Sequence, residues 1–96
     1  MKARQIFWQK SRLQDRYIVE LSIYEVGDPV RYPDGVKYGL ACIDLLTGKK
    51  ALMDNHHPKG PHTHLDSTEF PYAFRDVSGL IADFKRFVLE HLEVRL

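Results

Sequence analysis

Four of the chain's five histidines fall between positions 56 and 64. The segment reads Asp54-Asn55-His56-His57-Pro58-Lys59-Gly60-Pro61-His62-Thr63-His64. Histidine titrates near neutrality, so one imidazole can accept a proton while another donates one. His62 and His64 are two positions apart, and in an extended segment both side chains point to one face. Lys59 supplies a cation, and Gly60 permits the close backbone approach that a phosphate requires. RNA carries its own nucleophile, the 2′-hydroxyl, so a base, an acid and a cation suffice to cleave it. These residue types therefore suit phosphodiester cleavage, with His62, His64 and Lys59 as catalytic groups. Asn55 and His56 stand next to them as substrate contacts.

The same residues also suit a metal. His-x-His is a common ligand pair, and Asp54 or His56 can complete it. Residue types favour the metal-free version, with no cofactor. Asp54 is the sole carboxylate of the segment, and cysteine is absent from it. Lys59, between the two histidine pairs, repels a divalent ion and suits a phosphate. A third reading is structural, with the histidines bonding backbone groups that Pro58 and Pro61 leave unpaired.

Charge is uneven along the chain. Lys plus Arg is 14 and Asp plus Glu is 13, a balance that excludes a bulk polycation and an acidic tail. Residues 1–16 nevertheless carry Lys2, Arg4, Lys10, Arg12 and Arg16 against Asp15 alone. Residues 49–64 carry Lys49, Lys50 and Lys59 against Asp54 alone. If the two windows meet, they form a patch for an anionic partner. Arg4 and Arg12 are then candidates to track neighbouring phosphates, as is Lys2. Trp8, Tyr24 and Tyr72 are candidates to stack on bases.

These groups need a scaffold, and 96 residues provide one domain, residues 1–96, with one modest core. A single cysteine, Cys42, excludes an internal disulfide framework. No stretch approaches the ~20 apolar residues of a membrane span. The opening MKARQIFWQK lacks an apolar run for a secretory signal. The expected location is the cytoplasm, without a membrane partner.

Alternation over residues 17–26 predicts a strand, with Val19, Leu21 and Ile23 on one face. Residues 3–9 predict a first strand, joined to it by the polar stretch 10–16. Residues 37–45 are apolar on both faces and predict a central strand, and residues 50–54 return beside it. Residues 27–35 and 55–61 are loops, the second broken by Pro58, Gly60 and Pro61. Thr63 and residues 69–74 are extended or irregular. Val77, Leu80, Ile81, Phe84, Val88 and Leu92 fall on one helical stripe, which predicts a helix over 77–92 capped by Asp76 or Ser78. The expected architecture is α+β: an antiparallel sheet of four to five strands carrying one C-terminal amphipathic helix on a face.

Two further patterns carry less. Arg86 and His91 have the Arg-x4-His spacing of all-helical HEPN ribonucleases, but on a lone helix after a sheet. Cys42 sits in an apolar strand and reads as a small core residue.

The order of motifs resembles the TumE-type family, the toxin half of small prokaryotic toxin–antitoxin modules. The residues that carry the resemblance are Asp54 and Asn55 at a strand end, then Lys59, Gly60, His62 and His64. Glu69, Pro71, Tyr72 and Phe74 follow, and then the terminal helix. The resemblance implies a toxin whose partner is a DNA-binding antitoxin encoded nearby; RNA as the substrate rests on the chemistry of the histidine loop, and a homodimer stays open. A non-catalytic nucleic-acid- or protein-binding module is the alternative, as is a His-ligated metal-binding protein.

Overall fold

The computed structural model describes residues 3–96. These form six strands and one helix: β1 (Ala3–Leu13), β2 (Tyr17–Val26), β3 (Val36–Asp44), β4 (Lys50–Asp54), β5 (His62–Leu65), β6 (Thr68–Pro71) and α1 (Val77–Leu92). The strands make one antiparallel meander in the order β1-β2-β3-β4-β5-β6. The α+β expectation stands, with a larger sheet than four to five strands.

Both surplus features come from turns. The segment 10–16, expected as a polar connection, continues β1 as far as Leu13. Lys10, Ser11 and Arg12 pair with Glu20, Val19 and Ile18. The chain reverses at Gln14 and Asp15, whose φ angles of 54° and 48° are those of a type I′ turn. Gln is a poor turn signal, so the connection is shorter, and the hairpin longer, than the composition suggests. The segment expected to be irregular contains the β5–β6 hairpin, closed by Asp66 at φ 54° with Leu65 opposite Thr68.

One face of the sheet is apolar. Val19, Leu21, Ile23, Leu40, Cys42, Ala51 and Met53 are buried there against Leu80, Phe84 and Val88 of the helix. Ile81, placed on the same stripe, is half-buried. The helix starts at Asp76, whose side chain accepts a hydrogen bond from the Gly79 N–H at 2.6 Å. It ends at Glu93, in the left-handed conformation that closes many helices. Burial in the core pushes the Cys42 thiol up to about 11, which makes it unreactive near neutrality.

The end of β3 is held by a buried carboxylate. Asp44 accepts a two-pronged bond from Arg16 at 3.0 and 2.9 Å, and accepts from the Leu46 N–H at 2.9 Å. The Arg16 guanidinium holds this carboxyl below the usual range, against the opposing effect of burial. A group with a lowered folded pKa stabilises fully above its unfolded value of about 4. That contribution is lost as pH falls through the folded value. Melts between pH 7 and pH 2 therefore show a steeper acid-side loss of Tm in the wild type than in Asp44→Asn. Parallel curves for the two proteins would contradict this role.

Candidate functional site

The residues facing away from the helix make the second surface. Register places Trp8, Lys10 and Arg12 opposite Ser22, Glu20 and Ile18. Tyr24, Ser22, Glu20 and Ile18 in turn lie opposite Lys37, Gly39, Ala41 and Ile43. Gly39 and Ala41 pair with Asp54 and Leu52, and these with His62 and His64. Directly opposed residues share a face, so this surface crosses the whole sheet. Its centre is a groove of about 670 Å³ lined by Tyr24, Lys37, Gly39, Ala41, Leu52, Asp54 and His56 among others. Small side chains on β2 and β3 make the floor low. Among the described residues no helix covers it.

At the β4–β6 end of this face sits a polar cluster. His62 is central, with its side chain only 8% exposed. Its Nδ1 lies 2.6 Å from the Gly60 carbonyl oxygen. Gly60 adopts a φ of +80°, which favours glycine and turns that carbonyl toward the ring. On the other side, His62 Nε2 lies 2.9 Å from Asp54 Oδ1, across the β4–β5 ladder. The His64 ring meets the His62 ring edge-on, with centroids 4.5 Å apart. Glu69 Oε1, opposite His64 on β6, is 3.8 Å from His62 Nε2 and 4.0 Å from His64 Nε2. Lys59 reaches the cluster through Glu69, with Nζ 2.7 Å from Oε1. That bond holds the Glu69 carboxyl below its ordinary value, against the opposing effect of burial.

Loop 55–61 joins β4 to β5 beside the cluster and touches it through Gly60 and Lys59. The N–H groups of Lys59 and Gly60 both donate to the His56 carbonyl, and the His57–Pro58 peptide is cis. Asp54, His62 and His64 place their ligand atoms within 4.8 Å of one another. Among the described residues no hydrogen bond holds the His64 ring, so it is the imidazole open to an incoming group. His62, bonded on one nitrogen and close to a carboxylate on the other, is the positioned one.

The structure thus brings together Lys59, His62 and His64 of the expected catalytic set, with Asp54 beside them. The expected substrate contacts fare differently. His56 is exposed and lines the groove. Asn55 is buried, and its amide is spent on β3: it accepts from the Tyr38 N–H at 2.9 Å and donates to the Val36 carbonyl at 2.7 Å. It fixes the strand end that carries Asp54, and its burial keeps it from a substrate. Tyr72 turns toward the helix, where its hydroxyl donates to Asp83 at 2.6 Å. Burial, aided by Asp83, raises that phenol to about 12. Arg4 pairs with Glu25 at 3.0 Å and Arg12 lies near Asp15, both on β1. Four strand spacings, about 19 Å, separate β1 from β5. Arg4 and Arg12 therefore lie across the sheet from the histidines; the two basic windows meet only where Arg16 and Lys49 line one cleft together with Asp44 and Asp66. Lys2 lies outside the described residues.

Glu69 is the group that residue spacing alone missed. Its place opposite His64 depends on a hairpin at Asp66 that the composition does not announce. In outline the molecule is an open-faced antiparallel sheet with one helix behind it and a histidine–carboxylate cluster at one end of the open face. Comparison with protein-family models, with curated proteins and with solved structures finds no match to this chain.

Proposed function

We propose that this chain acts on RNA, as the toxin component of a toxin–antitoxin module with a DNA-binding antitoxin as its partner. The observation that carries the reading is the position of the cluster. Asp54, His62, His64 and Glu69 share one face with a groove able to hold an extended strand, and Asp54 belongs to both. Single-stranded nucleic acid is bound by aromatic stacking and by cations along the backbone. Trp8, 52% exposed, and Tyr24 offer the first, while Lys10, Arg12 and Lys37 offer the second.

A strand laid along this face runs from Trp8 toward the histidines and presents a phosphate to them. The cluster holds what cleavage there requires. His64 is unbonded, His62 is fixed, and Lys59 and Glu69 set the local charge. The order of motifs shared with TumE-type toxins supports the same reading.

The test is growth arrest in a bacterial host under induced expression. Wild type arrests growth, and His64→Gln does not at matched soluble levels. A variant as toxic as wild type would remove the cluster from the mechanism and leave a binding module. Co-purification of the His64→Gln protein with a co-expressed DNA-binding partner tests the antitoxin half of the proposal.

A further inference from the structure

We infer that Asp54, His62 and His64 bind a divalent first-row transition metal ion, with the Glu69 carboxylate at its edge. The inference names the ion used by the site proposed above and rests on that reading for its role in RNA cleavage, though not for binding.

It starts from His62. A carbonyl oxygen only accepts, so the 2.6 Å contact with Gly60 puts the proton on Nδ1. The neutral ring then has its lone pair on Nε2. That lone pair faces Asp54 Oδ1 at 2.9 Å, from a side chain 8% exposed. A lone pair and an ionised carboxylate oxygen approach this closely only with a cation between them, either a second proton on the ring or a metal ion. A backbone carbonyl on the far nitrogen is also the usual support of a metal-bound histidine, because it fixes both tautomer and ring orientation.

A second proton on His62 would satisfy Asp54 alone. It leaves the approach of His64 to the pair without a reason, while Glu69 is already held by Lys59. The His64 ring stands edge-on to His62 at 4.5 Å, with no hydrogen bond among the described residues. Glu69 Oε1 sits 3.8 and 4.0 Å from the two Nε2 atoms, beyond hydrogen-bonding reach. Ligands bonded to one ion at about 2.0–2.2 Å are separated by roughly 3–4 Å, the spacing of the Glu69 contacts, while the 2.9 Å between His62 Nε2 and Asp54 Oδ1 needs only a slight opening. The three principal ligand atoms lie within 4.8 Å of one another, so small side-chain shifts close the shell.

Charge and donor type agree. The metal-free expectation weighed Lys59 as a repulsive ammonium. Its Nζ is 2.7 Å from Glu69 Oε1, so a carboxylate compensates it and leaves Asp54 to offset the ion. Two imidazoles with carboxylate oxygen suit zinc better than manganese, and either better than calcium or magnesium, which take oxygen shells.

The experiment is calorimetric titration of metal-stripped full-length protein with zinc chloride, and separately with manganese chloride. One ion binds per chain, zinc more tightly than manganese, and the melting temperature rises with added zinc. Asp54→Asn and His64→Gln each weaken zinc binding by at least about tenfold, the scale on which loss of even an outer-shell partner acts. Both keep the wild-type circular dichroism spectrum. Lys59→Met retains binding. Absence of stoichiometric binding by wild type, or affinity unchanged in both ligand variants, overturns the site. RNA cleavage that proceeds unaltered in EDTA overturns the metal role and leaves the RNA reading standing. Stoichiometric binding without any action on RNA does the reverse.

Discussion

Phe84→Ala lowers unfolding free energy by about 3–5 kcal/mol. The ring is 0% exposed and lies where the helix crosses the sheet, beside Leu80, Val88, Leu40 and Met53 in one cluster. Truncation removes the transfer energy of the ring and leaves a cavity between helix and sheet that the packed neighbours fill only in part. A loss of this size is a large share of the total stability of a small domain. Urea unfolding at constant slope measures it, and a change below about 1 kcal/mol would place the core elsewhere.

Much of this core was legible because helices and strands write their periods into the sequence. The helix over 77–92 and the strand over 17–26 were visible in full, since Val19, Leu21 and Ile23 alternate and Leu80, Phe84 and Val88 recur at helical spacing. Positions 10–13 were not, because Lys10, Ser11 and Arg12 pair in a strand on an exposed edge, where no burial selects apolar side chains. Asp66 likewise reverses the chain in a left-handed conformation unannounced by glycine. Losing that hairpin at the sequence level meant losing Glu69 as a neighbour of His64. Asn55 misled for a different reason. A polar residue in a histidine-rich loop reads as a ligand contact, and only three-dimensional register shows its amide bridging to β3.

That difference between Asn55 and His64 yields the second large effect. Asn55→Ala leaves the buried Tyr38 N–H and Val36 carbonyl without partners. At about 1–3 kcal/mol for an orphaned buried group, the protein loses roughly 2 kcal/mol or more. Its catalytic rate falls only through displacement of Asp54. His64→Gln makes the opposite pair of changes. Its side chain is 25% exposed and holds no hydrogen bond among the described residues, so unfolding free energy stays close to wild type. Its turnover falls on the order of 10²-fold or more, the scale on which loss of a group that holds the ion or moves a proton acts. Paired urea melts and single-turnover cleavage rates separate the two residues. Equal stability losses with equal rate losses would show that the cluster has no chemical role of its own.

The most direct measurement is cleavage of an end-labelled single-stranded RNA by the purified full-length protein, with zinc or manganese present and with EDTA. The account predicts defined shorter products from wild type and intact RNA with His64→Gln at the same concentration. Intact RNA with wild type under every metal condition, or identical products from the His64→Gln protein, would contradict it.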